Sequence, residues 1–248
     1  MSLESIDRLQ RIRAVLDSTG RARVAELAEN LGVSEMTVRR DLGLLEDKGL
    51  AQRVRGGAVA KGPQPFADRF GKNARAKERI ADKLAALVGE GGAIGIDASS
   101  TMERLAARLA PADDLTVLTN SPESFAALSG RTGITALLTG GQLDPRSGSL
   151  VGPLATRAAR DVILRSVFLS AAGIDADLGT TETTLEDAEV KLALADVSGQ
   201  IVVAVDSSKL GQRATARCLP VDRIDILVTE LDPDHPALEP FRDRCEVV

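Results

Sequence analysis

The chain has 248 residues, 44% hydrophobic and 27% charged, enough for two ordinary globular domains. Aromatic residues make up 2%, with no Trp and no Tyr, which excludes the base-stacking platforms of most single-stranded nucleic-acid binders. The net charge of −5 is unevenly spread: residues 1–62 hold 11 Lys and Arg against 9 Asp and Glu, the rest 20 against 27, a weakly basic head on an acidic body.

Residues 5–18 read as a helix with Ile6, Leu9, Ile12 and Leu16 as its apolar stripe, ended by Gly20. Arg21-Ala-Arg-Val24 leads into a second helix on which Val24, Leu27 and Leu31 share one face, and Gly32 turns the chain. In the third, Ser34 can cap and Gly49 can close a helix whose Val38, Leu42 and Leu45 fall at i, i+4 and i+7. Its other face carries Met36, Thr37, Arg39 and Arg40, suited to base edges and phosphates in a major groove. An amphipathic helix with a solvated basic face has the same spacing. The next stretch tips the balance: Leu50–Val54 alternates as a strand, Gly56-Gly57 turns, and Ala58-Val59 returns. Together these elements read as a helix-turn-helix with a small wing presenting Arg53, Arg55, Gly56 and Gly57 to the backbone of double-stranded operator DNA.

Val33-Ser-Glu-Met-Thr-Val-Arg-Arg-Asp-Leu42, followed by Leu45-Glu-Asp-Lys-Gly-Leu50 and Arg55-Gly-Gly-Ala58, resembles the DNA-binding domain of the DeoR family of bacterial repressors. The resemblance implies a transcription regulator. Pro65-Phe66, Arg69, Asn73 and Lys77 resemble the segment joining that family's two domains, where a helix over 69–88 is expected.

From residue 91 onward short apolar runs alternate with amphipathic stretches. Strands are expected at 93–97, 115–119, 134–138, 166–170, 201–205, 224–228 and 245–248. Helices are expected at 100–110, 122–129, 154–164 and 185–197, with a short one near 237–243. This is a largely parallel α/β sheet, in which ligands sit beyond the carboxyl ends of the strands. Polar residues collect there: Asp97, Ser99, Ser100 and Thr101 before a helix, then Thr119 and Asn120, Gly140 and Gly141, Gly173 and Asp175, and Lys209. The hydroxyls and backbone N–H groups at 99–101 suit a phosphate, and ordinary capping by Ser99 or Ser100 is compatible with that. Gly89-Glu-Gly-Gly92 precedes a strand and so is no dinucleotide loop.

The same series, with Ala188, Glu189, Val190 and Lys191, resembles the effector domain of the DeoR family, which is related in fold to ribose-5-phosphate isomerase. That implies a phosphorylated-sugar effector, with Lys209 and the 97–101 loop holding phosphate and Asp97, Asn120, Glu189 and Lys191 touching the sugar. Ser99 stands where the family usually has glycine, and Asp187 where it has glutamate. The expected organisation is a winged helix-turn-helix over 1–60, a linker over 61–74, and an α/β effector-binding and oligomerisation domain over 75–248, working as a homodimer or homotetramer.

Cys218 and Cys245 give neither metal spacing nor a disulfide framework, and His235 sits in an Asp-Pro-Asp-His-Pro turn. No metal and no cofactor is expected. With no apolar run of membrane length and no leader, the expectation is a cytoplasmic protein without a membrane partner. The leading reading is a repressor of sugar catabolism released by a sugar phosphate. Two alternatives stay open: an isomerase-like enzyme with a DNA-binding head, and an oligomeric DNA-binding protein without ligand.

Overall fold

The computed structural model describes residues 3–47, 50–60 and 66–248. Gly49 and residues 61–65 of the expected linker lie outside the described residues. The chain divides into two compact units, Met1–Arg69 with Pro145–Ser147, and Phe70–Asp144 with Gly148–Val248.

The first unit has helices α1 (Leu3–Thr19), α2 (Val24–Leu31) and α3 (Glu35–Asp47), and strands β1 (Arg21–Arg23), β2 (Ala51–Val54) and β3 (Gly57–Ala60). Leu9, Ile12 and Leu16 of α1 pack with Val24 and Leu27 of α2 and Val38, Leu42 and Leu45 of α3. Each such side chain contributes about 1.5–3 kcal/mol on full burial. Ile6, expected in the stripe, is exposed, so the buried face of α1 starts at Leu9. Gly32, at φ +65, closes α2 by donating its N–H to the carbonyls of Ala28 and Glu29. Arg21–Arg23, expected only as a lead-in, is a strand: β1 pairs antiparallel with β3, which also pairs with β2. Three residues are too few to show a period of two.

The second unit opens with α4 (Phe66–Gly71), which begins in the first, and α5 (Ala74–Leu87). One helix was expected over 69–88. It is broken at Asn73, which adopts φ +53. There follow β4 (Gly92–Ile96), α6 (Ser100–Arg108), β5 (Leu115–Thr119), α7 (Pro122–Leu128), β6 (Ile134–Leu138), β7 (Gln142–Leu143), β8 (Leu150–Val151), α8 (Pro153–Arg160) and β9 (Ser166–Leu169). Then come β10 (Gly173–Asp175), β11 (Gly179–Glu182), α9 (Leu185–Asp196), β12 (Ile201–Ala204), β13 (Ala216–Arg217), β14 (Ile226–Val228), α10 (Glu239–Arg242) and β15 (Glu246–Val247).

Seven strands form one parallel sheet in the order β15-β14-β12-β9-β4-β5-β6. Both faces are buried, one around Val167, Leu169, Leu194 and Val203, the other around Ile94, Ile96, Phe168 and Leu84. Two small sheets were not expected, the β7–β8 hairpin and the antiparallel β10-β11-β13 ribbon. Their strands run two to four residues, too short for an apolar alternation, and β10 and β11 carry Gly and Thr. The order of the large sheet brings the ends of β9, β4 and β5 side by side.

Candidate functional site

On α3 the helical period sorts the reading residues. Val38, Leu42 and Leu45 face inward and are at most 3% exposed, while Met36, Arg39 and Arg40 face solvent. Ser34 caps the helix: its Oγ accepts from Thr37 N at 3.2 Å and lies 2.9 Å from Thr37 Oγ1. Both hydroxyls are therefore already engaged in starting the helix. Arg39 is paired with Glu35 one turn earlier at 2.8 Å, an exposed pair worth a few tenths of a kcal/mol and readily exchanged for phosphate. Arg40 and Arg55 are exposed and have no ion-pair partner among the described residues.

Two of the expected wing residues also make contacts within the fold. Arg53 gives its Nε to Glu46 Oε2 at 2.6 Å and its backbone N–H to Oε1 at 2.9 Å, tying the wing to α3. Gly57 is buried, and a Cβ there would stand 2.1 Å from the carbonyl oxygen of Ala22. The close approach of β1 requires this glycine. Gly56 is exposed at φ +83 with open space around it. A residue outside the expected set, Asp41, is 3% exposed and bound by Arg8 Nε at 2.5 Å, anchoring α3 to α1. Its position on the buried side of the helix was legible, its partner 33 residues away was not.

In the second unit, Asp97 and Asn120 follow directly on Ile96 and Thr119, paired neighbours in β4 and β5. Asp97 is fully buried. Its Oδ2 accepts from Ser170 N at 2.8 Å and lies 3.0 Å from Lys191 Nζ. The same ammonium donates to Glu182 Oε1 at 2.6 Å and to the Ser170 carbonyl at 2.7 Å. Burial pushes the Glu182 carboxyl up to about 7 against the attraction of Lys191. For Lys191 burial alone would lower the pKa, but the Asp97 and Glu182 charges outweigh it and hold the ammonium protonated. Asp97 Oδ1 and Asn120 Oδ1 are buried acceptors with no hydrogen-bond partner among the described residues. Asn120 is otherwise fixed by exchange with the backbone of Leu150, giving Nδ2 to its carbonyl at 3.1 Å and taking its N–H at 2.8 Å.

The 99–101 loop opens α6. Ser99 is at φ −128, an extended conformation open to any residue, and its Oγ accepts from Met102 N at 3.1 Å. The glycine usual in the family is therefore not needed for this backbone, and the serine serves as cap. Ser100 Oγ accepts from the buried Lys77 Nζ at 2.9 Å, and Thr101 is buried beside it. Thr119 Oγ1 accepts from Ser121 N at 3.1 Å and so shapes the turn after β5. Half-buried Lys209 feels the charges of Asp206, Glu182 and Lys191, and burial holds its ammonium below the usual lysine range.

Other expected residues lie elsewhere. Glu189 is exposed, because two residues along a helix from Lys191 is about 200° around it. Asp187 and Lys191, one turn apart, share the buried face. Asp187 accepts from Ser149 Oγ at 2.6 Å and Thr184 Oγ1 at 2.9 Å, so the shorter carboxylate reaches its partners. Asp175 closes the β10–β11 turn, accepting from Asp177 N and Leu178 N, and its ion pair with Arg213 holds its carboxyl below the usual range. Gly141 approaches Val151 and Ala155, and Gly173 approaches Gln212, where a Cβ would collide with backbone oxygen at 2.7 and 2.3 Å. Gly140, at φ +68, has no atom within 4 Å of a built Cβ and is the glycine of this group that leaves space.

Glu182 escaped the sequence reading, and Lys77 was placed in the connecting segment with no contact to the 99–101 loop expected. Glu182 lies in the polar run Gly179-Thr-Thr-Glu-Thr-Thr184, which gives no sign that it is buried against a lysine. A cavity of about 490 Å³ lies at the other end of the sheet, but its Arg108 is already held by Glu78 and Asp82. Cys218 is half-buried, and burial pushes its thiol up to about 11, away from reactivity. His235 Nδ1 accepts from Ala237 N in its turn.

Two family models match this chain: the DeoR-like helix-turn-helix domain over residues 8–64 and the DeoR C-terminal sensor domain over residues 72–231. The HTH-type transcriptional regulator GolR of Listeria innocua is 33% identical over 241 residues, covering 96% of this chain and 95% of its own. The glycerol-3-phosphate regulon repressor of Escherichia coli is 29% identical over 222 residues, 88% of each chain. Among solved structures, ribose 5-phosphate isomerase A from Neisseria gonorrhoeae aligns over 54% of this chain and 52% of its own, with 19% identity and a TM-score of 0.38.

Proposed function

The chain belongs to the DeoR family of DNA-binding transcriptional regulators, and from that membership we propose that it represses sugar-catabolism genes and leaves its operator when a phosphorylated sugar occupies the sensor unit. One observation carries the ligand class. Asp97 Oδ1 and Asn120 Oδ1, at the ends of neighbouring strands, are buried acceptors without partners among the described residues, next to a loop of hydroxyls and backbone N–H groups at the start of α6. Buried acceptors call for donors, which sugar hydroxyls supply, and a helix start with nearby lysine calls for an anion. A phosphorylated sugar presents both. The related Escherichia coli repressor is named for a phosphate ester regulon, which supports the same class.

In this reading the Asp97–Thr101 loop and Lys209 hold the phosphate, and Asp97 and Asn120 take sugar hydroxyls. Lys191 pairs with Asp97 and keeps it correctly turned. Release of DNA follows if the ligand binds the DNA-incompetent arrangement more tightly, and the two affinities are then linked reciprocally. Arg40 and Arg55 meet the operator, and reading two half-sites takes a homodimer or homotetramer. Among the described residues no helix is long and apolar enough to cross a membrane.

The test is a thermal-shift screen of phosphorylated sugars, followed by operator binding with and without each hit. A ligand at a hundred times its Kd stabilises the folded state by about 2.7 kcal/mol. The expected result is stabilisation by a phosphorylated sugar and not by its dephosphorylated form, with weaker DNA binding. Stabilisation by none, with operator binding intact, sinks the ligand reading.

A further inference from the structure

The second unit begins at Phe70, and its first eight residues are stitched to both loops assigned to phosphate. Asn73 separates α4 from α5 at φ +53, a conformation asparagine tolerates better than most side chains. Its Nδ2 donates to Asp206 Oδ1 at 2.8 Å and to Ser208 Oγ at 3.0 Å. Those two residues belong to the turn that carries Lys209, whose other side is held by Glu230 accepting from Ser207 N at 2.9 Å and Oγ at 2.6 Å. One turn along α5, Lys77 holds Ser100 Oγ. Arg104 completes the stitching: it donates to the Ser100 carbonyl at 2.9 Å and the Phe70 carbonyl at 2.8 Å, with its guanidinium 3.8 Å from the centre of the Phe70 ring.

We propose that Asn73 is the positioning residue that reports occupancy of the Lys209 turn to the segment through which the chain leaves the sensor unit for the DNA-binding unit. The proposal rests on the sugar-phosphate reading of the site. An anion drawn to Lys209 and Ser100 takes up hydrogen-bonding groups that now belong to the connector's network. The turn at 206–208 then moves against the Asn73 amide. Because Asn73 is one of the two non-helical residues between two helices, that load falls on a hinge, where a small change in φ and ψ redirects the chain on one side of it. Charge at Lys209 alone could not do this; the amide donating to both Asp206 and Ser208 makes the turn and the hinge one unit.

Asn73→Gly removes the amide and keeps the left-handed backbone; Asn73→Asp keeps the shape and loses the donors. Both are made in the full chain. DNA affinity is measured by anisotropy on a duplex selected by the protein from a random pool, with and without glycerol 3-phosphate, ribose 5-phosphate or inorganic phosphate. Binding of each probe is measured separately by calorimetry. In the wild type an effective probe weakens DNA binding by a factor of about 5–150. In both variants probe and DNA still bind, but the factor falls to about 1. A variant that binds both and keeps the wild-type factor overturns the proposal. If no probe binds the wild type, the sugar-phosphate reading fails by itself, and hydrogen exchange decides for Asn73. Faster exchange in Asn73→Gly at both 74–77 and 207–210 supports the coupling, and unchanged exchange at either end overturns it.

Discussion

Arg53 and Glu46 form a two-point contact, side chain to side chain at 2.6 Å and Arg53 N–H to carboxylate at 2.9 Å, that fastens the wing to the reading helix. The two wing arginines therefore differ in role. Arg55→Ala should weaken binding to operator and random DNA alike, and lower the slope of log affinity against log salt by about one, as loss of one phosphate contact does. Arg53→Ala should loosen the wing and leave the slope within experimental error. Salt titrations of both variants decide this, and equal slopes for the two would refute the division.

Arg40 is the arginine of α3 with no partner among the described residues, whereas Arg39 is held by Glu35. Arg40→Ala should cost about 1–3 kcal/mol on the operator and less on random sequence, the mark of a base-edge contact. An equal loss on both duplexes would place Arg40 on phosphate instead.

Lys191 is the cation shared by two buried carboxyl groups, those of Asp97 and Glu182. Lys191→Met should leave Asp97 and Glu182 without their cation and destabilise the sensor unit by about 3–5 kcal/mol, the cost of breaking a buried pair from one side. Urea unfolding followed on the sensor unit measures it. A loss under 1 kcal/mol would mean that water reaches the cluster.

Glu182 gives stability a pH dependence. Its folded pKa, about 7, lies above the unfolded value of 4.5, so between these values the folded state holds a proton the unfolded state has released. Stability then falls as pH rises through this window and is level beyond it, by roughly 3 kcal/mol in all. The wild type minus Glu182→Gln stability difference should therefore decrease from pH 4.5 to pH 8. A difference that stays flat or rises would show Glu182 ionised throughout.

A Cβ at position 57 meets the Ala22 carbonyl oxygen at 2.1 Å. Gly57→Ala should force β1 from β3 and cost about 1–3 kcal/mol as overpacking does. In Gly56→Ala the cost is backbone strain alone, about 1–2 kcal/mol. Thermal unfolding of the two variants should rank them in that order, and the reverse order would show that β1 yields readily to the added methyl.

What the sequence determined by itself is whatever depends on near neighbours. The Val38, Leu42 and Leu45 face, the Ser34 cap closing on Thr37, the turn at Gly56 and the alternation of buried strands with helices all rest on spacings of a few residues, and all are in the structure. The polar strand ends at Asp97 and Asn120 were legible for the same reason, since a parallel strand must end before a turn. The tertiary structure alone decided which polar groups have partners. Asp41 meets Arg8 across 33 residues, and Asn73 meets Asp206 across 133. Lys191 meets Asp97 because β9 lies beside β4. A buried charge or a close-packed glycine answers to whatever the chain brings against it, and strand order, which local spacing does not encode, determines what that is. Hence Gly57 and Gly141 look like ligand glycines in the sequence and are closely packed in the fold, while Glu182, unremarked in a run of threonines, is buried against Lys191.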